Sequence, residues 1–148
     1  MTFTSHIELQ LENAYQDDFL LAEIDKAFGF MRVTWYCHPN SQEFRRLFEI
    51  LVNLVIKHKI KYWLSKSTAI LYLEFSDQNW VLDHVIPPLR LSGLTKYARI
   101  TTKECMTLMD VSRIISNLDQ EKISGSKLTL EQFLTEEDAL DWLLSELE

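Results

Sequence analysis

The strongest constraint on the fold is a change in the spacing of apolar residues at Pro39. Before it, the stretches "HIELQLENA", "FLLAEID" and "FGFMRVTWYC" alternate apolar and polar residues, which predicts strands with turns at Asp17-Asp18 and at 26–29. After it, apolar residues recur every three or four positions from Phe44 to Val55, which predicts an amphipathic helix. This order favours a fold that combines strands and helices.

The rest of the chain alternates between helix and strand patterns. "IKYWLS", "KYARIT" and "LTLEQFL" read as strands, and the helices between and after them are expected to begin at these residues: Ser76 or Asp77, Lys103, and Thr135. This order predicts an α/β domain with a mixed sheet, in which N-terminal antiparallel strands are followed by alternating helix and strand. Because its length suits a single core and no repeat interrupts it, we expect one domain over 1–148, with 119–127 as an exposed loop.

Composition argues against several classes of partner. A net charge of -7 repels phosphate backbones, and the basic cluster at 57–61 suits the carboxyl end of a helix, so we predict no nucleic-acid binding. Cys37 and Cys105 have no Cys-x-x-Cys spacing and the chain shows no basic, apolar leader, so we expect a reduced, cytoplasmic protein. Apolar runs fall short of the ~18 residues that span a bilayer, and we expect no membrane insertion.

The usual motifs of catalysis and cofactor binding are missing from the sequence. The four histidines fall on separate predicted elements, which argues against a metal site. The three glycines are scattered, so they cannot form a phosphate-binding loop, and there is no Gly-x-Ser-x-Gly elbow. We therefore expect a protein that is not an enzyme and that has no cofactor and no metal.

Five residues are candidates for a binding site. Within "WLSKSTAILYLEFSDQNW" a polar break separates two apolar runs, and aromatic residues lie near it in the predicted fold; the candidates are Trp35, Ser65, Lys66, Ser67 and Trp80. Serines at a strand-to-loop junction are either phosphorylation sites or ordinary loop hydroxyls. The aromatic residues either fill the core or line a pocket for an apolar ligand.

An exposed edge is the remaining candidate for an interaction surface. Leu71 and Leu73 lie in the second apolar run, which is able to pair with another chain if it forms an unpaired strand. Such an edge makes a homodimer possible.

Several stretches together resemble the bacterial SpoIIAA-like branch of the STAS superfamily, whose fold is similar to that of CRAL-TRIO lipid-binding domains. They cover most of residues 28–146: "VTW", Glu43-Phe44, "YWL", "SDQNW", "KYARI" and "FLTEEDALDWL". Two features depart from the family: Ser65 and Lys66 replace the Asp that usually follows the Trp-Leu pair, and the Asp-x-Ser-Gly phosphorylation loop is missing.

The resemblance implies a non-catalytic regulatory or scaffolding domain that acts by binding an unknown protein partner. It also implies docking around the first helix and the Ser65 loop. The alternative is binding of a lipid or other apolar small molecule in an aromatic-lined cavity, as in CRAL-TRIO domains.

Overall fold

A six-stranded mixed sheet organises the protein, in a computed structural model that describes residues 8–120 and 127–145. The strands lie in chain order: β1 (Glu12–Gln16), β2 (Leu20–Asp25), β3 (Phe30–Trp35), β4 (Tyr62–Lys66), β5 (Lys96–Ile100) and β6 (Thr129–Phe133). The first three are antiparallel, and β3 to β6 run parallel. The predicted α/β class, with antiparallel strands followed by alternating helix and strand, is confirmed.

Helices cover both faces of this sheet. They are α1 (Ser41–His58), α2 (Phe75–Trp80), a π-helical turn (Val81–Val85), α3 (Ile86–Leu91), α4 (Lys103–Met106), α5 (Met109–Gln120) and α6 (Glu136–Leu143). The larger core lies between one face of the sheet and the helices α1, α3 and α5. These helices belong to the crossovers that connect the parallel strands β3 to β6. A smaller core lies on the opposite face, where α6 packs on β4 and β5.

Local signals explain the first and last helices. Asn40 followed three residues later by Glu43 has the spacing of a capping box and predicts the start of α1, as Thr135 predicts that of α6. Both caps are confirmed: the side chain of Asn40 accepts a hydrogen bond from the Glu43 amide, and that of Thr135 accepts one from the Asp138 amide. Helix α1 ends at Lys59, whose left-handed backbone closes the last turn.

The start of the first strand was predicted too early. Residues 8–11 lie outside any strand, and residues 1–7 lie outside the described chain. The backbone amide of Gln10 donates to the carboxylate of Asp25 at 2.8 Å, so a side chain takes the place of a strand partner. Leu9 and Leu11 nevertheless pack against the smaller core, which explains the alternation of apolar and polar residues in this segment.

The second apolar run is a loop, which overturns the predicted exposed edge at Leu71 and Leu73. Its backbone amides find side-chain acceptors: Leu71 donates to Nδ1 of His38 at 3.1 Å, and Leu73 donates to Asp110 at 2.7 Å. Because these partners come from elsewhere in the fold, high strand propensity in this run does not produce a strand.

Two helices also differ from their predictions. Helix α2 begins at Phe75 without a side-chain cap, and the Asp77 carboxylate instead accepts from Ser41. The sequence predicts that Pro87 and Pro88 stop or kink this helix; in the structure they lie in the first turn of α3, directly after the π-helical turn, so the helical path continues past them.

The sequence predicts one helix from Lys103 to Leu118, with Leu108, Val111, Ile115 and Leu118 facing inward, but this helix is interrupted after Met106. Leu108 at the break is exposed, and Ile114 rather than Ile115 faces the core. In the exposed loop predicted at 119–127, residues 119–120 belong to α5 and residues 121–126 lie outside the described chain.

Candidate functional site

A cavity of about 70 Å³ lies at the carboxyl ends of β3, β4 and β5, between the sheet and the helices of the larger core. Apolar side chains form most of its wall, and its polar groups come from the sheet: Ser65, Ser67, Tyr97 and Arg99. In α/β proteins the carboxyl ends of parallel strands are the usual position of a binding site, because the loops that follow them converge there.

Ser65 and Ser67 are buried side chains on the floor of this cavity. Their exposures are 1% and 2%, and their hydroxyl oxygens lie 2.5 Å apart in a hydrogen bond. Ser65 lies within β4 and is therefore not a loop residue, whereas Ser67 directly follows the strand. Neither is accessible to a kinase in this conformation.

Among the described residues that form the cavity wall, Arg99 alone is charged. It stands opposite Ser65 in the parallel register of β4 and β5, with only 6% of its surface exposed. Its Nη1 donates to the side-chain oxygen of Gln132 at 2.7 Å, and none of the described carboxylates forms an ion pair with it. Burial lowers the pKa of Arg99, and the neighbouring Tyr97 and Asp110 oppose that shift.

Tyr97 brings a second hydrogen-bonding group beside Arg99. Burial raises the pKa of Tyr97, while hydrogen bonding with Ser65 and the charge of Arg99 oppose the increase. The hydroxyl is therefore protonated near neutral pH and able to donate a hydrogen bond.

Trp35, at the end of β3, is the only predicted aromatic site residue in the cavity wall. Its ring stacks on Phe48, and its indole Nε1 is buried without a hydrogen-bond partner among the described residues. A buried N–H group without an acceptor is unfavourable, and a ligand in the cavity that brings an acceptor within reach of Nε1 would satisfy it.

The other two predicted residues lie elsewhere. The ammonium of Lys66 points to the opposite face of the sheet, 3.1 Å from the carboxylate of Glu136. Trp80 is half-buried on α2, beside His84 and under the guanidinium of Arg45. The structure therefore brings together Trp35, Ser65 and Ser67, and separates Lys66 and Trp80 from them.

The 68–74 loop covers the cavity. On its inner side, Ile70 and Leu73 line the wall, whereas Leu71 and Tyr72 on its outer side are 54% and 47% exposed. Phe75, the first residue of α2, is 65% exposed.

Side chains from four other parts of the fold hold the loop in place. His38 and Asp110 accept from its amides, the thiol of Cys105 donates to the Leu71 carbonyl at 3.2 Å, and Gln78 donates to the Leu73 carbonyl at 2.9 Å. The outer apolar side chains are thus presented on an anchored backbone.

Sequence reasoning missed Tyr97 and Arg99. The signal was present in "KYARI", where Tyr97 and Arg99 share one face and Ala98 and Ile100 share the other. An arginine on the inward face of a buried strand is uncommon and identifies the position.

The described part of the chain contains no group of three His, Cys, Asp or Glu side chains arranged to hold a metal ion. No helix within residues 8–120 and 127–145 is long and apolar enough to cross a bilayer. Comparisons with protein-family models, with curated proteins and with solved structures find no match. The resemblance to SpoIIAA-like proteins therefore stays a prediction.

Proposed function

We propose that this chain is a non-catalytic regulatory or scaffolding domain that binds another protein. Its docking surface is formed by Leu71, Tyr72 and Phe75, at the carboxyl end of the sheet. The exposure of these three large apolar side chains within five residues is the observation that carries the proposal.

The composition of the docking surface suits a protein partner. Aromatic residues are enriched in the buried centres of protein interfaces, where they contribute a large contact area at a small entropic cost. Arg113 packs over the ring of Phe75, with its guanidinium carbon 4.4 Å from the ring centre, and restrains that side chain before binding. Side chains held in position lose less entropy when a complex forms.

The partner is expected to present an apolar anchor surrounded by basic residues. The chain has a net charge of -7, so a basic partner is attracted at long range, and a second copy is repelled. Because the run at 68–74 is a loop, it also offers no strand edge for pairing between copies. We therefore favour a different protein over a homodimer.

The serine arrangement supports a non-catalytic role. The hydroxyls of Ser65 and Ser67 bond to each other, and no histidine or carboxylate within the described chain is bonded to either of them. A serine nucleophile needs such a base to be activated. The free thiols of Cys37 and Cys105 fit the reducing interior of a cell, where we place the protein.

The lipid alternative receives no support from the size of the cavity. Pockets for drug-sized or larger apolar molecules enclose at least ~300 Å³, whereas this one encloses about 70 Å³.

The proposal is tested by capture followed by a binding measurement. Proteins that copurify with the tagged chain are identified, expressed separately and titrated against three forms: wild type, the triple variant Leu71→Ser, Tyr72→Ser, Phe75→Ser, and Leu91→Ser. The control replaces Leu91, which is 90% exposed and lies at the end of α3.

We expect the triple variant to weaken binding at least about 30-fold, since truncating a central aromatic residue costs about 2 kcal/mol or more. Leu91→Ser is expected to bind like the wild type. Equal binding by all three forms, or a captured species that is only a second copy of the chain, would refute the proposed surface or partner.

A further inference from the structure

We propose that the cavity beneath the 68–74 loop binds a short aliphatic carboxylate, with the carboxylate group at Arg99 and the aliphatic tail between α3 and α5. This site is separate from the docking surface, because its polar groups lie on the sheet and face inward.

The first observation is an excess of hydrogen-bond donors. Arg99 carries five N–H groups and uses Nη1 for Gln132, while the indole N–H of Trp35 has no partner among the described residues. The hydroxyls of Ser65, Ser67 and Tyr97 are bonded among themselves, which leaves one of their three protons for a ligand. The wall is otherwise chiefly apolar, and none of the described residues that form it carries a carboxylate, so the buried Arg99 selects an acceptor with negative charge.

The nearest acidic neighbour of Arg99 does not remove this requirement. Asp110 interacts with Arg99 electrostatically but forms no ion pair with it. Its two carboxylate oxygens accept instead from the backbone amides of Leu73 and Val111, each at 2.7 Å.

The single cation sets the charge of the ligand. One guanidinium matches the one negative charge and the planar shape of a carboxylate, to which arginine donates two parallel hydrogen bonds. A phosphate group near neutral pH carries up to two charges, and residues 8–120 and 127–145 supply no second cation to the cavity wall.

The apolar part of the cavity wall determines the chemistry and size of the ligand's tail. Opposite the polar floor, the cavity is lined by branched apolar side chains, including Val81, Val85, Ile86 and Leu89. The volume of about 70 Å³ accommodates about five to seven non-hydrogen atoms, at roughly 10 to 15 Å³ for each water-sized position. A carboxylate of about four carbons fills this space, and a long-chain fatty acid is too large for it.

The test measures the melting temperature of the full chain during titration with butyrate. Butyramide, an uncharged analogue of similar size, serves as the control ligand. At saturating butyrate we expect the melting temperature to rise by about 5 to 10 °C. Butyramide, octanoate and inorganic phosphate are expected to give no saturable rise. Arg99→Gln is expected to weaken butyrate binding at least about tenfold, because it removes charge-assisted hydrogen bonds. Arg46→Gln, an exposed arginine on α1, is expected to leave it unchanged.

A second measurement on the wild-type chain does not depend on whether Arg99→Gln folds. The indole N–H signal of Trp35, assigned with Trp35→Phe, is expected to shift in nuclear magnetic resonance spectra as butyrate binds, while that of Trp80 stays in place. The proposal is overturned if butyrate and butyramide act equally, if phosphate replaces butyrate, if Arg99→Gln binds as well as Arg46→Gln, or if the Trp35 signal does not move.

Discussion

Removing the carboxylate of Asp110 is expected to release the 68–74 loop and to destabilise the fold. This side chain is 8% exposed, and it accepts from the amide of Leu73 in the loop and from the amide of Val111 in the first turn of α5. It thus links two segments that are 37 residues apart in the chain.

The magnitude follows from these two bonds. A hydrogen bond to a charged group contributes about 1.5 to 3 kcal/mol, and an amide at a helix start recovers part of that by binding water. We expect Asp110→Ala to lower the free energy of unfolding by about 2 to 4 kcal/mol. Asp110→Asn keeps one acceptor oxygen, and we expect it to lose about half as much.

The assay is denaturant unfolding combined with amide hydrogen exchange. The exchange rate of the Leu73 amide should increase in Asp110→Ala more than the rates of amides within β4. Glu104→Ala, a substitution of an exposed acidic residue on the adjacent α4, serves as the control. A loss below about 0.5 kcal/mol in Asp110→Ala, as for an ordinary surface substitution, would refute the proposed role of these bonds.

Three further substitutions test local parts of the fold. Burial acts to raise the pKa of Asp17, but hydrogen bonds, chiefly from Tyr15 and the turn backbone, lower it below its ordinary 3.8. The stability that ionised Asp17 contributes is therefore lost as the pH falls through the folded pKa. Asp17→Asn removes this contribution and should flatten the acid unfolding curve below about pH 4. Thr135→Ala should reduce the free energy of unfolding by about 1 kcal/mol and Thr135→Ser by much less; equal losses would contradict the cap. Gly29→Ala should lower the free energy of unfolding by at least about 1 kcal/mol, because the φ of 68° at Gly29 disfavours a side chain and the new Cβ would lie 3.1 Å from the Lys59 carbonyl oxygen. An unchanged midpoint of denaturant unfolding would contradict this.

The sequence predicts those parts of the fold that depend on neighbouring residues. The change of period at Pro39 gives the class of fold, and Asn40 and Thr135 give helix starts, because a cap acts on an amide three residues away. The alternation in β3 places Trp35 on the same face as Met31 and Val33, where the larger core lies.

Features that depend on distant partners were not predictable in the same way. Ser65 and Arg99 meet because β4 and β5 pair in a particular register, and a single sequence does not specify that register. Leu71 and Leu73 have strand-like surroundings in the sequence, but His38 and Asp110 bind their amides and keep the segment a loop. Only the folded chain brings these groups together.

The most direct test of the central claim is photo-crosslinking in the native cell. A photoreactive phenylalanine analogue replaces Tyr72 on the docking surface, or Leu91 as the exposed control. We predict that the analogue at position 72 crosslinks to one protein other than this chain, and that the analogue at position 91 does not. Crosslinks of equal yield from both positions, or crosslinks from position 72 only to a second copy of the chain, would contradict the claim.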